Sequence, residues 1–166
     1  MPSTVTSILS LAEIFDNLTE TQLELVAAIC DSSSHKKGDI LVKENESSDE
    51  MYVIGNGSVE ILVNPGIVGA SAEDYEAEAE VIAELLPGQV VGEIALVDQG
   101  LRAATVRVGR DDTLVLRIPR ERIMLLCDTY PELGYKLMKN LAAELALKMR
   151  NTDLTVRQLQ LLLLKA

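Results

Sequence analysis

Gly92-Glu93-Ile94-Ala95-Leu96-Val97-Asp98-Gln99-Gly100-Leu101-Arg102-Ala103-Ala104-Thr105-Val106 is the stretch from which the rest of this chain is read. From Glu44 to Leu101 there are thirteen acids and no Lys or Arg; Arg102 then stands alone, followed by Ala103, Ala104 and a β-branched run. A guanidinium so isolated, beside backbone that small residues leave open, has the chemistry of an anion site. Its planar fork offers a phosphate two parallel charge-assisted hydrogen bonds. Glu93 to Val97 can form one helical turn, and Gly92 leaves room for a ligand to approach its N-terminal amides. Glu93, acceptor-only when ionised, suits hydroxyls. An anion that also carries hydroxyls is a sugar phosphate or a nucleotide. The competing reading is that Arg102 only balances Glu93 or a neighbouring acid, as weak surface pairs do. Spacing alone does not separate the two.

Composition narrows the classes. A chain of 166 residues that is 48% hydrophobic suffices for one well-buried domain and little more. With one Phe, four Tyr and no Trp, its core must be aliphatic. The net charge of −11 argues against sequence-independent nucleic-acid binding and against docking on an anionic membrane. No run of 18 apolar residues and no leader pattern are present. Cys30 and Cys127 lie outside any C-x-x-C motif beside apolar helical residues, and read as reduced core thiols of a cytoplasmic protein. The single histidine, His35, removes His-cluster metal sites and makes Ser-His chemistry a poor fit. No nucleophile–base pair or metal set can be assembled, so the chain does not read as an enzyme, and no cofactor or metal ligand is assigned.

Around the central stretch the pattern is α+β. Ile8 to Phe15 reads as a short helix. Thr19 with Gln22 three residues on has a capping-box pattern that opens a helix from Glu20 to Cys30, which Ser32-Ser33-Ser34 ends. From Ile40 to Ile118, short β-branched runs punctuated by turn residues predict an antiparallel β-roll. Ile40-Leu41-Val42 is a strand, and Glu44 to Glu50 an acidic turn. Met51 to Ile54 pairs with Ser58 to Val63 across the hairpin signal Gly55-Asn56-Gly57. Residues 65–80 form a long acidic insertion, read as solvated, with a docking role as the alternative. Val81 to Leu85, Thr105 to Val108 and Thr113 to Ile118 are further strands.

After Pro119 the period becomes helical: Arg120 to Asp128 is one helix, and Pro131 suits the first turn of a long second one. Met138, Ala142, Leu145, Met149, Thr152, Val156, Leu159 and Leu163 alternate spacings of four and three, the seam of a coiled coil. That seam predicts a homodimer through the C-terminal helix; the alternative is a helix folded back over its own roll. The segments are thus N-terminal helices over 1–36, the roll over 37–118 with the phosphate-binding stretch at 92–105, and C-terminal helices over 119–166.

The motifs extend beyond local chemistry. Gly92-Glu93-Ile94-Ala95-Leu96, five residues, then Arg102-Ala103-Ala104-Thr105-Val106 resembles the phosphate-binding cassette of cyclic nucleotide-binding domains, found in kinase regulatory subunits, gated channels and the catabolite activator protein. Phe15-Asp16-Asn17-Leu18-Thr19, Lys37-Gly38-Asp39-Ile40-Leu41, Met51–Ile54 with Gly57–Ile61, and Leu86–Glu93 resemble that family's remaining motifs, in the family's order, across roughly Phe15 to Leu145.

The resemblance implies a jelly-roll-like β-roll that binds a cyclic nucleotide through Gly92, Glu93, Ile94, Ala95, Arg102, Ala103 and Ala104. Arg102 and the amides of Ala95 and Ala103 would hold the exocyclic phosphate oxygens. Glu93 would accept from the ribose 2′-hydroxyl, with Gly92 letting the ribose lie against the backbone. Family members that prefer cGMP often carry Thr after the arginine; Ala103 implies cAMP, with cGMP as the alternative. Base contacts would come from Lys148, Met149 and Thr152, and no aromatic is at hand to stack on the purine. Binding would shift a conformational population and move the C-terminal helices, passing the signal to an effector protein. No helix-turn-helix follows the long helix, so the chain reads as a stand-alone sensor or a piece of something larger. The alternative function is a roll that serves as a protein-interaction scaffold.

Overall fold

A computed structural model describes residues 4–64 and 79–166. The acidic insertion at 65–80 lies outside them except for Ala79 and Glu80. The N-terminal segment is helix α1 (Thr4–Leu11), a 3-10 turn over Glu13–Phe15 and helix α2 (Glu20–Ala28). Thr19 caps α2 as its side chain dictates. Its hydroxyl accepts from the Gln22 N–H at 3.2 Å while the Gln22 side chain accepts from the Thr19 N–H at 2.9 Å, satisfying donors that a helix start otherwise orphans.

Eight strands follow: β1 (Asp31–His35), β2 (Ile40–Val42), β3 (Glu50–Asn56), β4 (Val59–Val63), β5 (Glu80–Leu85), β6 (Val90–Val91), β7 (Thr105–Val108) and β8 (Thr113–Pro119). They build two antiparallel sheets, β1-β8-β3-β6 and β2-β7-β4-β5. Helices α3 (Arg120–Thr129) and α4 (Pro131–Leu164) close the chain, Pro131 in the first turn of α4 where its missing N–H is harmless. This is the α+β roll with flanking helices that the sequence predicts.

Two local expectations are corrected. Ser32-Ser33-Ser34 does not end the helix, which stops at Ala28; it runs through β1, paired with β8 in the register Ser33 to Val115. Serine has little β-propensity, but an exposed edge strand needs its backbone ladder more than its side chains. Nor do Met51 to Ile54 and Ser58 to Val63 form a hairpin, since β3 and β4 belong to different sheets. The chain turns a corner at Gly57 (φ +78°), crossing directly over β8, where a Cβ would lie 2.2 Å from Thr113 Oγ1. Ser58 N–H then donates to that hydroxyl at 3.3 Å. The turn signal is real, but it marks passage between layers.

Alternation along β3 places it between two cores. Met51 and Val53, with Leu116 and Ile118 of β8, pack under the helices against Ile123, Leu133, Leu137 and Leu141. Tyr52 and Ile54 face the roll interior with Val42, Val59, Val106 and Val115. Helix α4 packs on the core as far as Leu145, and Lys148 adds an ion pair to Glu93. Past Leu145 its seam lies open: Met149, Val156, Leu159 and Leu163 are 69%, 47%, 55% and 76% exposed. The apolar seam therefore does not pack on the roll beyond Leu145. Among the described residues no helix is long and apolar enough to cross a membrane.

Two measurements probe this frame. Gly57→Ala should cost about 1–3 kcal/mol in urea unfolding, through both its dihedral and the contact with Thr113. Gly38→Ala, at φ +95° with nothing near its would-be Cβ, should cost less. At the edge strand, the Asp31 carboxylate accepts from Arg122 at 3.1 Å and Arg117 at 2.8 Å. The Arg122 hydrogen bond foremost, then that of Arg117, holds its pKa below the ordinary carboxylate value. A depressed carboxylate contributes stability at neutral pH that is lost as pH falls through its folded-state pKa. Asp31→Asn should therefore flatten the acid limb of the stability–pH curve.

Candidate ligand-binding site

The site is organised by Arg102, which is only 8% exposed. Its main chain is clamped by the acidic turn, Arg102 N–H donating to the Glu46 carbonyl at 2.9 Å and the Arg102 carbonyl accepting from Asn45 N–H at 2.8 Å. Its guanidinium is held by neutral groups. Nε donates to Ser48 Oγ at 2.8 Å and Nη2 to the Glu50 carbonyl at 2.5 Å. Among the described residues no carboxylate pairs with it; the Glu50 carboxylate turns instead to Arg117 at 3.2 Å. The turn's acids thus lend backbone and not charge. A buried cation without a counter-ion is costly unless something anionic arrives.

Gly92, at φ +81°, opens the 3-10 turn Glu93–Leu96. A Cβ there would meet Arg102 Nη1 at 2.6 Å and the Glu50 carbonyl at 2.9 Å, so the glycine is required by the guanidinium packed against it. Ala95 N–H donates to the Gly92 carbonyl at 3.1 Å, so that amide is engaged within the turn.

Glu93 is 4% exposed, and its partner is Lys148 of α4, whose Nζ donates to Glu93 Oε1. Arg102 therefore does not serve as the counter-ion of Glu93. Lys148 also lies 3.4 Å from Glu144 Oε1, one turn back on α4. Burial pulls the Lys148 ammonium down, but the hydrogen bonds and charges of Glu93 and Glu144 outweigh it and hold its pKa above the ordinary lysine value. Burial, then the Glu93 charge, raises the Glu144 carboxyl.

These groups meet at a cavity of about 460 Å³, within the span of small-molecule sites. Gly92, Glu93, Ile94, Ala95, Arg102, Ala103 and Ala104 all line it, and Lys148 reaches it from α4. Met149 and Thr152 do not: Met149 is 69% exposed, and the Thr152 hydroxyl donates back to the Lys148 carbonyl at 2.9 Å. The strands add an apolar lining of Val42, Ile61, Leu85, Val90, Val91 and Val106. Sequence reading missed that lining because its residues look like any core positions, and missed Ser48 because no local pattern links it to an arginine 54 residues on. Asp98, also in the lining, is turned to its own loop, accepting from Gly100 N–H at 3.0 Å.

The remaining candidates for chemistry are quiet. Cys30 and Cys127 are free thiols, Cys30 pushed by burial up to about 12 and Cys127 also raised by burial. Among the described residues no cluster of His, Cys, Asp and Glu could hold a metal ion.

A two-sheet roll, a glycine-initiated 3-10 turn and a buried arginine meet at this cavity. The family of the cyclic nucleotide-binding domain matches residues 33–130, and the chain belongs to that family. It is 31% identical over 119 residues to the cGMP-dependent protein kinase egl-4 of Caenorhabditis briggsae, covering 72% of this chain and 15% of that protein. It is 25% identical over 141 residues to the Cyclic AMP receptor protein of Thermus thermophilus, covering 85% of this chain and 59% of that one. The crystal structure of the Thermus thermophilus Catabolite Activator Protein shares the fold, with a TM-score of 0.74 at 24% identity over 90% of this chain and 63% of that one. The chain spans 9% to 15% of the length of the first kinase relatives it matches. The matched family is a regulatory fold, not a catalytic one.

Gly92→Ala should destabilise the fold by about 1–3 kcal/mol, from a left-handed backbone and a Cβ against the guanidinium. Gly92→Ala combined with Arg102→Ala should recover part of that loss in urea unfolding, since the obstructing Nη1 is gone. Strictly additive values would show that Gly92 answers to something other than Arg102.

Proposed function

We propose that this domain is a cyclic-nucleotide sensor, with cAMP the preferred ligand, that relays binding to its C-terminal helices. The observation that carries the reading is the buried Arg102 guanidinium, without a carboxylate partner among the described residues, in a cavity whose lining also offers the buried Glu93 carboxylate for hydroxyls. A cyclic phosphate supplies the missing negative charge; its ribose supplies the donor for Glu93. Ala103 beside Arg102 favours cAMP, because it lacks the hydroxyl that cGMP-preferring relatives often place there. The apolar lining suits a purine held by burial in place of aromatic stacking.

The relay has a physical link. Arg120, the first residue of α3, donates through Nε to the Leu96 carbonyl at 3.2 Å, so the end of the cassette turn and the start of α3 move together. The exposed seam of α4 supports homodimerisation, since Leu161 to Leu164, 58% to 82% exposed, would otherwise face water. Free thiols suit a cytoplasmic setting. The same exposed helix is what favours the second reading, a roll that serves as an interaction scaffold for an effector protein.

Calorimetric titration with cAMP and cGMP separates the two. Wild type should bind cAMP more tightly than cGMP, and Arg102→Leu should lose about 2–5 kcal/mol of binding. Absence of heat with either nucleotide in a folded sample would leave the scaffold reading standing. Light scattering should return the mass of a dimer; a monomer at micromolar concentration would remove the seam as a homodimer interface.

A further inference from the structure

The cassette turn does not by itself stabilise the carboxylate that would read the ribose, and the group that does so comes from α4. We infer that Lys148 is the positioning residue for Glu93. It neutralises and orients the hydroxyl acceptor, and it ties α4 to the cassette whether or not nucleotide is bound. This rests on the reading of Glu93 as the acceptor of the ribose hydroxyl.

Glu93 is 4% exposed, and a buried carboxylate is stable only with a paired cation or several donors. Among the described residues its ion-pair partner is Lys148; the Arg102 guanidinium is committed to Ser48 and the Glu50 carbonyl. Glu144 draws on the same ammonium at 3.4 Å, and Asp98 adds a further acid to the cavity lining. Without Lys148, an arriving cyclic phosphate monoanion would meet an uncompensated Glu93 charge in the same cavity. With it, the Glu93 charge is compensated, and Arg102 is left to meet the ligand charge.

The pair also persists on binding. A ribose hydroxyl is a neutral donor that adds a hydrogen bond without cancelling charge, so Glu93 needs its ammonium as much with nucleotide as without. The two oxygens of a carboxylate accept about four hydrogen bonds, and Lys148 and a hydroxyl can share them. Lys148 is thus no latch that the nucleotide expels. It makes ribose recognition depend on where α4 lies, and makes α4 follow Glu93.

Calorimetry with cAMP and 2′-deoxy-cAMP on wild type, Lys148→Met and Lys148→Arg tests this. Lys148→Met should shrink the preference for cAMP over its 2′-deoxy analogue by about tenfold, the worth of one hydrogen bond to a charged group. Lys148→Arg, which keeps the charge, should retain most of it. A helix that was merely loosened would weaken both nucleotides equally; an unchanged ratio in Lys148→Met overturns the inference. Thermal unfolding without ligand gives an independent arm. Lys148→Met should lower the midpoint, and adding Glu93→Gln should restore part of it, because no buried charge is then stranded. Additive shifts would overturn the pairing. Wild type that binds neither nucleotide overturns the hydroxyl reading itself, while the ligand-free cycle still decides whether Lys148 holds Glu93.

Discussion

A positive charge held out of water by neutral groups is the constraint on which this structure turns. Arg102 is seated by a serine hydroxyl, a backbone carbonyl and the missing side chain of Gly92. The first two come from the 44–50 turn and the third from the cassette, and each fixes the direction of the guanidinium without cancelling its charge. A carboxylate in any of those places would have made a better ion pair and a poorer anion site. The acidic turn from Glu44 to Glu50 shows the distinction, since it surrounds Arg102 with acidic residues yet contributes amide, carbonyl and hydroxyl.

The fold seats that arrangement between a strand buried on both faces and the helices packed beside it. Strand β3, buried on both faces, carries the Glu50 carbonyl at its start and is pinned between β8 and β6. Helices α3 and α4 meet the cassette through the buried Leu96, which shares a core with Ile123, Leu133 and Leu137, and through two polar contacts, Arg120 to the Leu96 carbonyl and Lys148 to Glu93. The short 3-10 turn thus sits between β3 and the two helices, in contact with both.

Much of this could be read from residues alone wherever the governing interaction is local. The Thr19 to Gln22 capping box and the Pro131 helix start express contacts within one helical turn, and the cluster from Gly92 to Ala104 lies within one short stretch of chain. The seam of α4 was legible as a period, because 3.6-residue geometry writes itself into the spacing of apolar side chains.

What only the tertiary structure decided concerns partners far apart in the chain. Ser32 to Ser34 lie in a strand because β8 offers them a ladder, not because serine favours one. β3 and β4 part company at Gly57 because each finds better neighbours in a different sheet. Ser48 serves Arg102, and Lys148 serves Glu93 while Met149 and Thr152 turn away, because a helix face is chosen by the whole packing and not by adjacency. The sequence by itself determined the roll, the helices and the arginine at the centre of the site. Long-range burial decided which groups stand beside that arginine, since the desolvation of a charge depends on everything that surrounds it.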